Sequence, residues 1–118
     1  MVNRRGASDP PPVPHRGAVY WVDLDPTRGS KTRKMRPCLV VSPDELNEHL
    51  STVIVAPMTT GGRAYPWRVD CRFQDRSGRV ALDQLRTVDR ERLSGFAGGL
   101  PEETMAVVLR ALAELFAA

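Results

Sequence analysis

Apolar and polar residues alternate in several short stretches of the chain, and this alternation is typical of half-buried β-strands. In residues 18–24 the side chains of Tyr20, Val22 and Leu24 fall on one face of such a strand. Further strands are predicted over residues 37–41, 52–58, 66–73 and 79–87, with a short one near residue 96. Gly61-Gly62 and Ser77-Gly78 predict turns that lead into the strands over 66–73 and 79–87.

Helical signals occur at three places. Ser42, as an N-cap followed by Pro43, predicts a brief helix that ends near residue 50. A single helical turn is predicted from Asp89. Apolar residues at i, i+3, i+4 and i+7 spacing predict a C-terminal helix over 101–116. Five or six strands with short helical additions therefore predict an α+β fold, a small antiparallel barrel with a C-terminal helix.

The first 15 residues contain four prolines and almost no apolar side chains, so we expect a disordered arm over 1–15 and a folded domain over 16–118. No apolar run exceeds five residues, whereas a membrane span needs about 20. We therefore expect a cytoplasmic protein without membrane contact. The two cysteines, Cys38 and Cys71, are 33 residues apart and are expected to be buried apolar residues.

The net charge of +3 is unevenly distributed along the chain of 118 residues. Residues 27–42 hold five basic side chains and no acidic one, while the remainder holds 12 basic and 14 acidic ones. A local anionic partner is therefore expected. Arg36 directly precedes Pro37 and a predicted strand, which would fix its guanidinium for bidentate contact with a phosphate.

Conventional catalytic groups are not indicated. His15 lies in the proline-rich arm and His49 on the short polar helix, so neither suits a histidine-based ribonuclease or hydrolase. Asp23 and Asp25 could bind a metal, but an Asp-Pro turn that ends the strand is the preferred interpretation. No metal site and no cofactor are expected.

Six blocks, in this order, resemble the MazF/PemK (Kid) toxin family. They are residues 17–26 (GAVYWVDLDP), 29–30 (GS), 36–42 (RPCLVVS), 55–60 (VAPMTT), 65–67 (YPW) and 81–89 (ALDQLRTVD). The resemblance covers about residues 16–115 and implies an SH3-like barrel of the CcdB/Kid/MazF type. It further implies a type II toxin that cleaves single-stranded mRNA without a metal and leaves a cyclic phosphate. A homodimer and a cognate antitoxin are the implied partners.

The family's catalytic arginine falls on Arg36 and its catalytic threonine on Thr59, and its RNA-contact positions fall on Ser30 and Gln84. Lys31 stands where some members carry an acidic residue. Without the resemblance, Thr59 could simply end a strand and Gln84 could be a polar residue of the barrel. The other residues expected to bind RNA are Arg28, Lys31, Arg33, Lys34, Trp67 and Arg86. Trp21 is expected in the core, whereas Trp67 could either pack in the core or stack on a base.

Two other functions remain open at this point. CcdB-type toxins share the implied fold and inhibit gyrase without cleaving RNA, through a tail of the Trp-Gly-Ile type. This chain ends Leu-Phe-Ala-Ala, which argues against that activity. A barrel that binds RNA without cutting it is the second alternative, and salt-dependent binding without products would identify it.

Overall fold

Seven β-strands and two α-helices make up the fold in the computed structural model, which describes residues 13–24 and 35–118. The strands are β1 Ala18–Asp23, β2 Met35–Val40, β3 Thr52–Thr59, β4 Arg68–Phe73, β5 Arg76–Ala81, β6 Arg86–Asp89 and β7 Leu93–Gly99. The helices are α1 Asp44–His49 and α2 Glu102–Leu115, and single 3₁₀ turns cover Leu82–Gln84 and Arg90–Arg92. The predicted C-terminal helix and the helical turn after Asp89 are confirmed.

The strands form one curled antiparallel sheet in the order β4-β5-β3-β2-β1-β7, with β6 paired to β3. Strand β3 causes the curl because its partners change along its length. It pairs with β6 up to Val55, with β2 through Pro57, and with β5 at Met58 and Thr59. The result is a half-barrel closed by a C-terminal helix, so the predicted α+β antiparallel barrel is confirmed.

Two apolar clusters fill the two sides of the curled sheet. In β1, Val19 belongs to one cluster while Tyr20 and Val22 belong to the other, as the alternation of the sequence predicts. Helix α2 buries Met105 and Val108 against the first cluster. Among the described residues, no helix is long and apolar enough to cross a membrane.

The predicted turn at Ser77-Gly78 is wrong. The β4–β5 hairpin turns instead at Gln74 and Asp75, which adopt φ angles of 51° and 61°, the left-handed conformation that tight hairpin turns require. Ser77 and Gly78 lie within β5. The single strand predicted over 79–87 is also wrong, because the 3₁₀ turn after β5 divides it into two strands that pair with different parts of β3.

The predicted N-cap role of Ser42 is wrong as well. Pro43 occupies the N-cap position of α1, and the Ser42 hydroxyl donates to Asn47 Oδ1 at 2.5 Å and accepts the Ile54 N–H at 3.0 Å. The buried Asn47 amide also donates to the carbonyl of Pro14 at 2.9 Å. This hydrogen bond makes Pro14 part of the folded domain, although the domain was predicted to begin at residue 16. The rest of the predicted arm, residues 1–12, lies outside the described residues.

Candidate functional site

A cleft of about 680 Å³ opens where β3 ends and its pairing passes from β2 to β5. Four elements contribute to its walls: β1, β2, the end of β3 with the following loop, and the β4–β5 hairpin with the adjoining 3₁₀ turn. The polar and aromatic lining includes Trp21, Arg36, Thr59, Arg68, Arg76 and Gln84. The cleft thus brings together three of the predicted site residues, which are Arg36, Thr59 and Gln84.

Arg36 is the second residue of β2, and its backbone is paired with Val22 of β1. Its side chain is exposed at the cleft. Because the strand fixes the backbone on which it stands, the guanidinium is presented to the cleft from a rigid element. The expectation that Arg36 stands at the entrance of a strand is confirmed.

Thr59 is the last residue of β3 and is half-buried. Its hydroxyl donates to the carbonyl of Gly61 at 3.5 Å, a length at which a hydrogen bond is weak. The backbone of Thr59 is closely approached by Gly78 of β5, since a Cβ on that glycine would lie only 2.7 Å from the Thr59 carbonyl oxygen. Glycine at position 78 therefore permits the strand spacing that places Thr59.

Gln84 lies at the end of the 3₁₀ turn after β5 and is exposed at the cleft. The alternative interpretation of Gln84 as a polar residue inside the barrel is therefore wrong. Its neighbour Asp83 binds the Arg68 guanidinium through two bonds, Nε to Oδ1 at 2.6 Å and Nη2 to Oδ2 at 2.9 Å. The bidentate pair holds Arg68 at the cleft wall and keeps the pKa of the Asp83 carboxyl below its ordinary value. Nothing in the sequence pattern indicated Arg68.

The two tryptophans lie in different environments, and the expectation for Trp21 is wrong. Trp21 was expected in the core, but its side chain is 37% exposed and lines the cleft. Its cross-strand neighbours are Pro37 and Gly95, and a glycine offers no side chain to cover the indole. Trp67 instead packs against the core and stacks on Tyr65, with ring centroids 4.9 Å apart and planes at 7°. It is not part of the cleft lining.

Arg86 also stands apart from the cleft. It is half-buried on β6, and its Nη1 donates to the carbonyl of Leu24 at 3.2 Å, which gives it a structural contact at the end of β1. The predicted RNA-binding residues Arg28, Ser30, Lys31, Arg33 and Lys34 lie outside the described residues. The described residues on either side of this segment lie together, since Asp23 is paired with Met35 at the ends of β1 and β2.

A second arginine-rich region lies on the β4–β5 hairpin and the loop before it. Residues 61–80 hold five arginines and two aspartates. This local excess of positive charge is not apparent from the net charge of the chain outside residues 27–42. Arg68 and Arg79 are bound to Asp83 and Asp70. Arg76 contributes a further cation to the cleft.

The histidines and Cys38 lie away from the cleft, whereas Cys71, which was expected to be buried, is half-buried and lines it. His15 lies 3.5 Å from Asp44, and the ring of His49 bonds the carbonyl of Glu45, and neither lines the cleft. Burial raises the pKa of the Cys38 thiol to about 12, so at neutral pH this side chain is an inert apolar group. Within residues 13–24 and 35–118, no three His, Cys, Asp or Glu side chains form a group that could hold a metal ion.

The protein is therefore a small antiparallel half-barrel with an arginine-lined cleft at the end of β3. Residues 15–116 match the family of PemK-like, MazF-like toxins of type II toxin–antitoxin systems. The chain belongs to this family.

Similar proteins carry the same family name. The endoribonuclease toxin MazF of Escherichia coli K12 is 37% identical over 76 residues, which cover 64% of this chain and 68% of that protein. The endoribonuclease MazF of Staphylococcus epidermidis is 35% identical over 103 residues, covering 82% and 86%.

Solved structures share the fold over most of the chain. MazF of Deinococcus radiodurans superposes with a TM-score of 0.72 at 30% identity, covering 87% of this chain and 96% of that one. A mycobacterial endoribonuclease in complex with its cognate antitoxin superposes with a TM-score of 0.74 at 30% identity, covering 86% and 92%.

Proposed function

We propose that this protein is the toxin of a type II toxin–antitoxin system and acts as an endoribonuclease on single-stranded mRNA. The observation that carries the proposal is the convergence of Arg36 and Thr59, from two different strands, on one cleft. Membership of the toxin family and similarity to proteins named endoribonuclease MazF support it.

The chemistry requires little of the protein. In metal-independent RNA cleavage the 2′-hydroxyl of the substrate loses its proton to solvent and attacks the adjacent phosphorus. The P–O5′ bond breaks, the leaving 5′-oxygen takes up a proton, and a cyclic phosphate forms. The protein must align these atoms and stabilise the negative charge that develops on the phosphorane. Arg36 donates two hydrogen bonds to the non-bridging oxygens. The Thr59 hydroxyl turns its one proton away from the weak contact with the Gly61 carbonyl and donates a third. Because the pKa of a guanidinium exceeds about 12, Arg36 acts as a donor rather than as the base.

Other cleft residues hold the RNA strand. The exposed indole of Trp21 provides a stacking surface for an unpaired base, a contact worth about 1–3 kcal/mol. Gln84 offers an amide for hydrogen bonding to a base, while Arg68 and Arg76 bind phosphates. The basic residues of the 25–34 segment retain the predicted role of binding the strand.

The partners follow from the same family. A mycobacterial endoribonuclease and a MazF of Deinococcus radiodurans have been solved with their antitoxins, and a cognate antitoxin that blocks RNA access is the corresponding partner here. We further propose a homodimer in the cytoplasm, where mRNA is available. Light scattering measures the oligomeric state, and addition of the antitoxin should abolish cleavage.

Incubation of the purified protein with a long single-stranded RNA in EDTA tests the proposal. Discrete products ending in cyclic phosphate are expected, and Arg36→Ala and Thr59→Ala should each lower the rate by about 10²–10³. Arg110→Ala is a matched control because Arg110 is exposed on α2 and does not line the cleft. Intact RNA, or full activity in both cleft variants, would refute the proposal.

Two other results would each favour an alternative function. Salt-dependent RNA binding without any products would identify a binding barrel. Inhibition of gyrase supercoiling, with the RNA left intact, would identify a CcdB-like toxin.

A further inference from the structure

The loop that follows Thr59 is held in place by one side chain of β5. In the sheet, Thr59 is paired with Arg79. The Arg79 side chain extends past this pair, and its Nη1 donates to the carbonyl of Gly62 at 2.9 Å. A single residue therefore contacts the chain both at Thr59 and three residues beyond it.

The next strand fixes Arg79 in turn. Arg79 is paired with Asp70 of β4, so that Thr59, Arg79 and Asp70 form one row across three neighbouring strands. Arg79 Nε donates to Asp70 Oδ1 at 3.0 Å. The Asp70 side chain is 85% exposed and the Arg79 side chain only 27% exposed, so the carboxylate lies outside and orients the guanidinium of a side chain that is largely covered.

The loop itself has little stiffness of its own. Gly61 and Gly62 are conformationally free residues, and a Cβ on Gly61 would meet no atom within 4 Å. The Thr59 hydroxyl makes its bond to the carbonyl of Gly61, and the position of that carbonyl depends on how the loop is held. Among the described residues, the hydrogen bond from Arg79 to the Gly62 carbonyl connects the far end of this loop to the sheet.

From this arrangement we propose that Arg79, oriented by Asp70, is a positioning residue that sets the Thr59 hydroxyl for catalysis. Arg79 does not line the cleft, so it acts through Thr59 and not by touching RNA. The inference rests on the proposed RNA cleavage. A misplacement of about 1 Å can cost 10²-fold in rate, and loss of the contact is expected to lower kcat by about 10- to 100-fold.

A double-mutant cycle on RNA cleavage tests the inference. Arg79→Ala should lower kcat and leave KM within about twofold, since substrate contacts are kept. In the Thr59→Ala background, Arg79→Ala should cause no further loss, because residues that act as one unit are not additive. Arg79→Lys should restore part of the activity, since an amine reaches Gly62 or Asp70 but not both. Additive losses, or a change confined to KM, would overturn the inference.

Arg72→Ala is the matched control, since it removes the same charge from the same hairpin and should leave kcat unchanged. The order parameters of the Gly61 and Gly62 N–H vectors, from NMR relaxation, provide a readout that does not depend on activity. These order parameters should fall in Arg79→Ala and remain unchanged in Arg72→Ala. Unchanged order parameters in Arg79→Ala would overturn the positioning role even if the protein cleaves RNA, whereas lower values in a protein without RNA cleavage would overturn only the proposed function.

Discussion

Gly78→Ala is the most informative single substitution in this fold. A Cβ at position 78 would lie 2.7 Å from the Thr59 carbonyl oxygen, while ordinary contacts begin at 3.4 Å. The two strands must therefore separate by roughly 0.7 Å, since the clashing atom belongs to the backbone and cannot rotate away. Scaled from about 10²-fold per ångström of misplacement, kcat for RNA cleavage should fall by about 10- to 50-fold. The overpacking should also lower the free energy of unfolding by about 1–3 kcal/mol.

Single-turnover cleavage of a short RNA and a urea unfolding curve measure the two effects of Gly78→Ala. Gly95→Ala is the matched control for the unfolding curve, because it is also a glycine within a strand and its new Cβ would meet only the Trp21 ring, at 3.8 Å. A loss that appears in KM alone would mean that the methyl group blocks RNA rather than displaces Thr59. A folded Gly78→Ala variant with the kcat of the unmodified protein would refute the assignment of Thr59.

Three further predictions concern charge, acidity and thiols. Arg68→Ala should weaken RNA binding and reduce the slope of log affinity against log salt by about 0.7, the value for one phosphate contact in single-stranded nucleic acid; an unchanged slope would remove Arg68 from the binding residues. Because Arg68 holds the pKa of Asp83 below 3.8, the ionised carboxylate stabilises the fold fully above that value, and this stabilisation is lost as the pH falls through the lower folded pKa. Urea midpoints measured from about pH 5 to pH 2 should therefore decline less steeply in Asp83→Asn than in the unmodified protein, and equal declines would contradict the ion pair. Since burial raises the pKa of Cys38 to about 12, a thiol reagent at pH 8 should not label Cys38 quickly until the protein is unfolded, and fast labelling of Cys38 in the native protein would contradict its burial.

The elements that were predictable from sequence are those with a local cause. The spacing from Met105 to Phe116 predicts α2 because a helix places these residues on one face, whatever surrounds it. Alternation in β1 and the β-branched run of β3 are similarly local signals. The division between β5 and β6 is not local, since it arises because Leu82 must be buried while the chain passes from one end of β3 to the other.

Gly78 shows how a correct signal can receive the wrong interpretation. Glycine after serine predicts a turn, because glycine permits turn conformations at low cost. Here the residue is needed for a different property, the absence of a Cβ where β5 approaches the backbone of Thr59. The turn itself uses Gln74 and Asp75, neither of them glycine. Only the pairing of β3 with β5 distinguishes the two explanations.

The tryptophans illustrate the same limit at the site. Both are large apolar residues in predicted strands, and burial is the ordinary expectation for either. The environment of Trp21 is decided by cross-strand partners that lie far away in sequence. Gly95 leaves Trp21 uncovered beside the cleft, whereas Trp67 is covered by Tyr65 and the core. Arg36 and Thr59 could be named from the family resemblance, while Trp21 and Arg68 required the folded arrangement.

The distribution of charge has a consequence for how the cleft works. Two of the five arginines in residues 61–80 already form ion pairs, Arg68 with Asp83 and Arg79 with Asp70. A guanidinium that is already oriented loses little side-chain entropy when a phosphate or a loop carbonyl binds it. Unpaired cations attract an anion over a longer range but must be ordered on contact. Under the proposed function, Arg68 and Arg79 therefore contribute geometry more than attraction. We expect attraction of the RNA strand to come from Arg36 and Arg76, which have no ion pair among the described residues, and from the basic residues of 25–34.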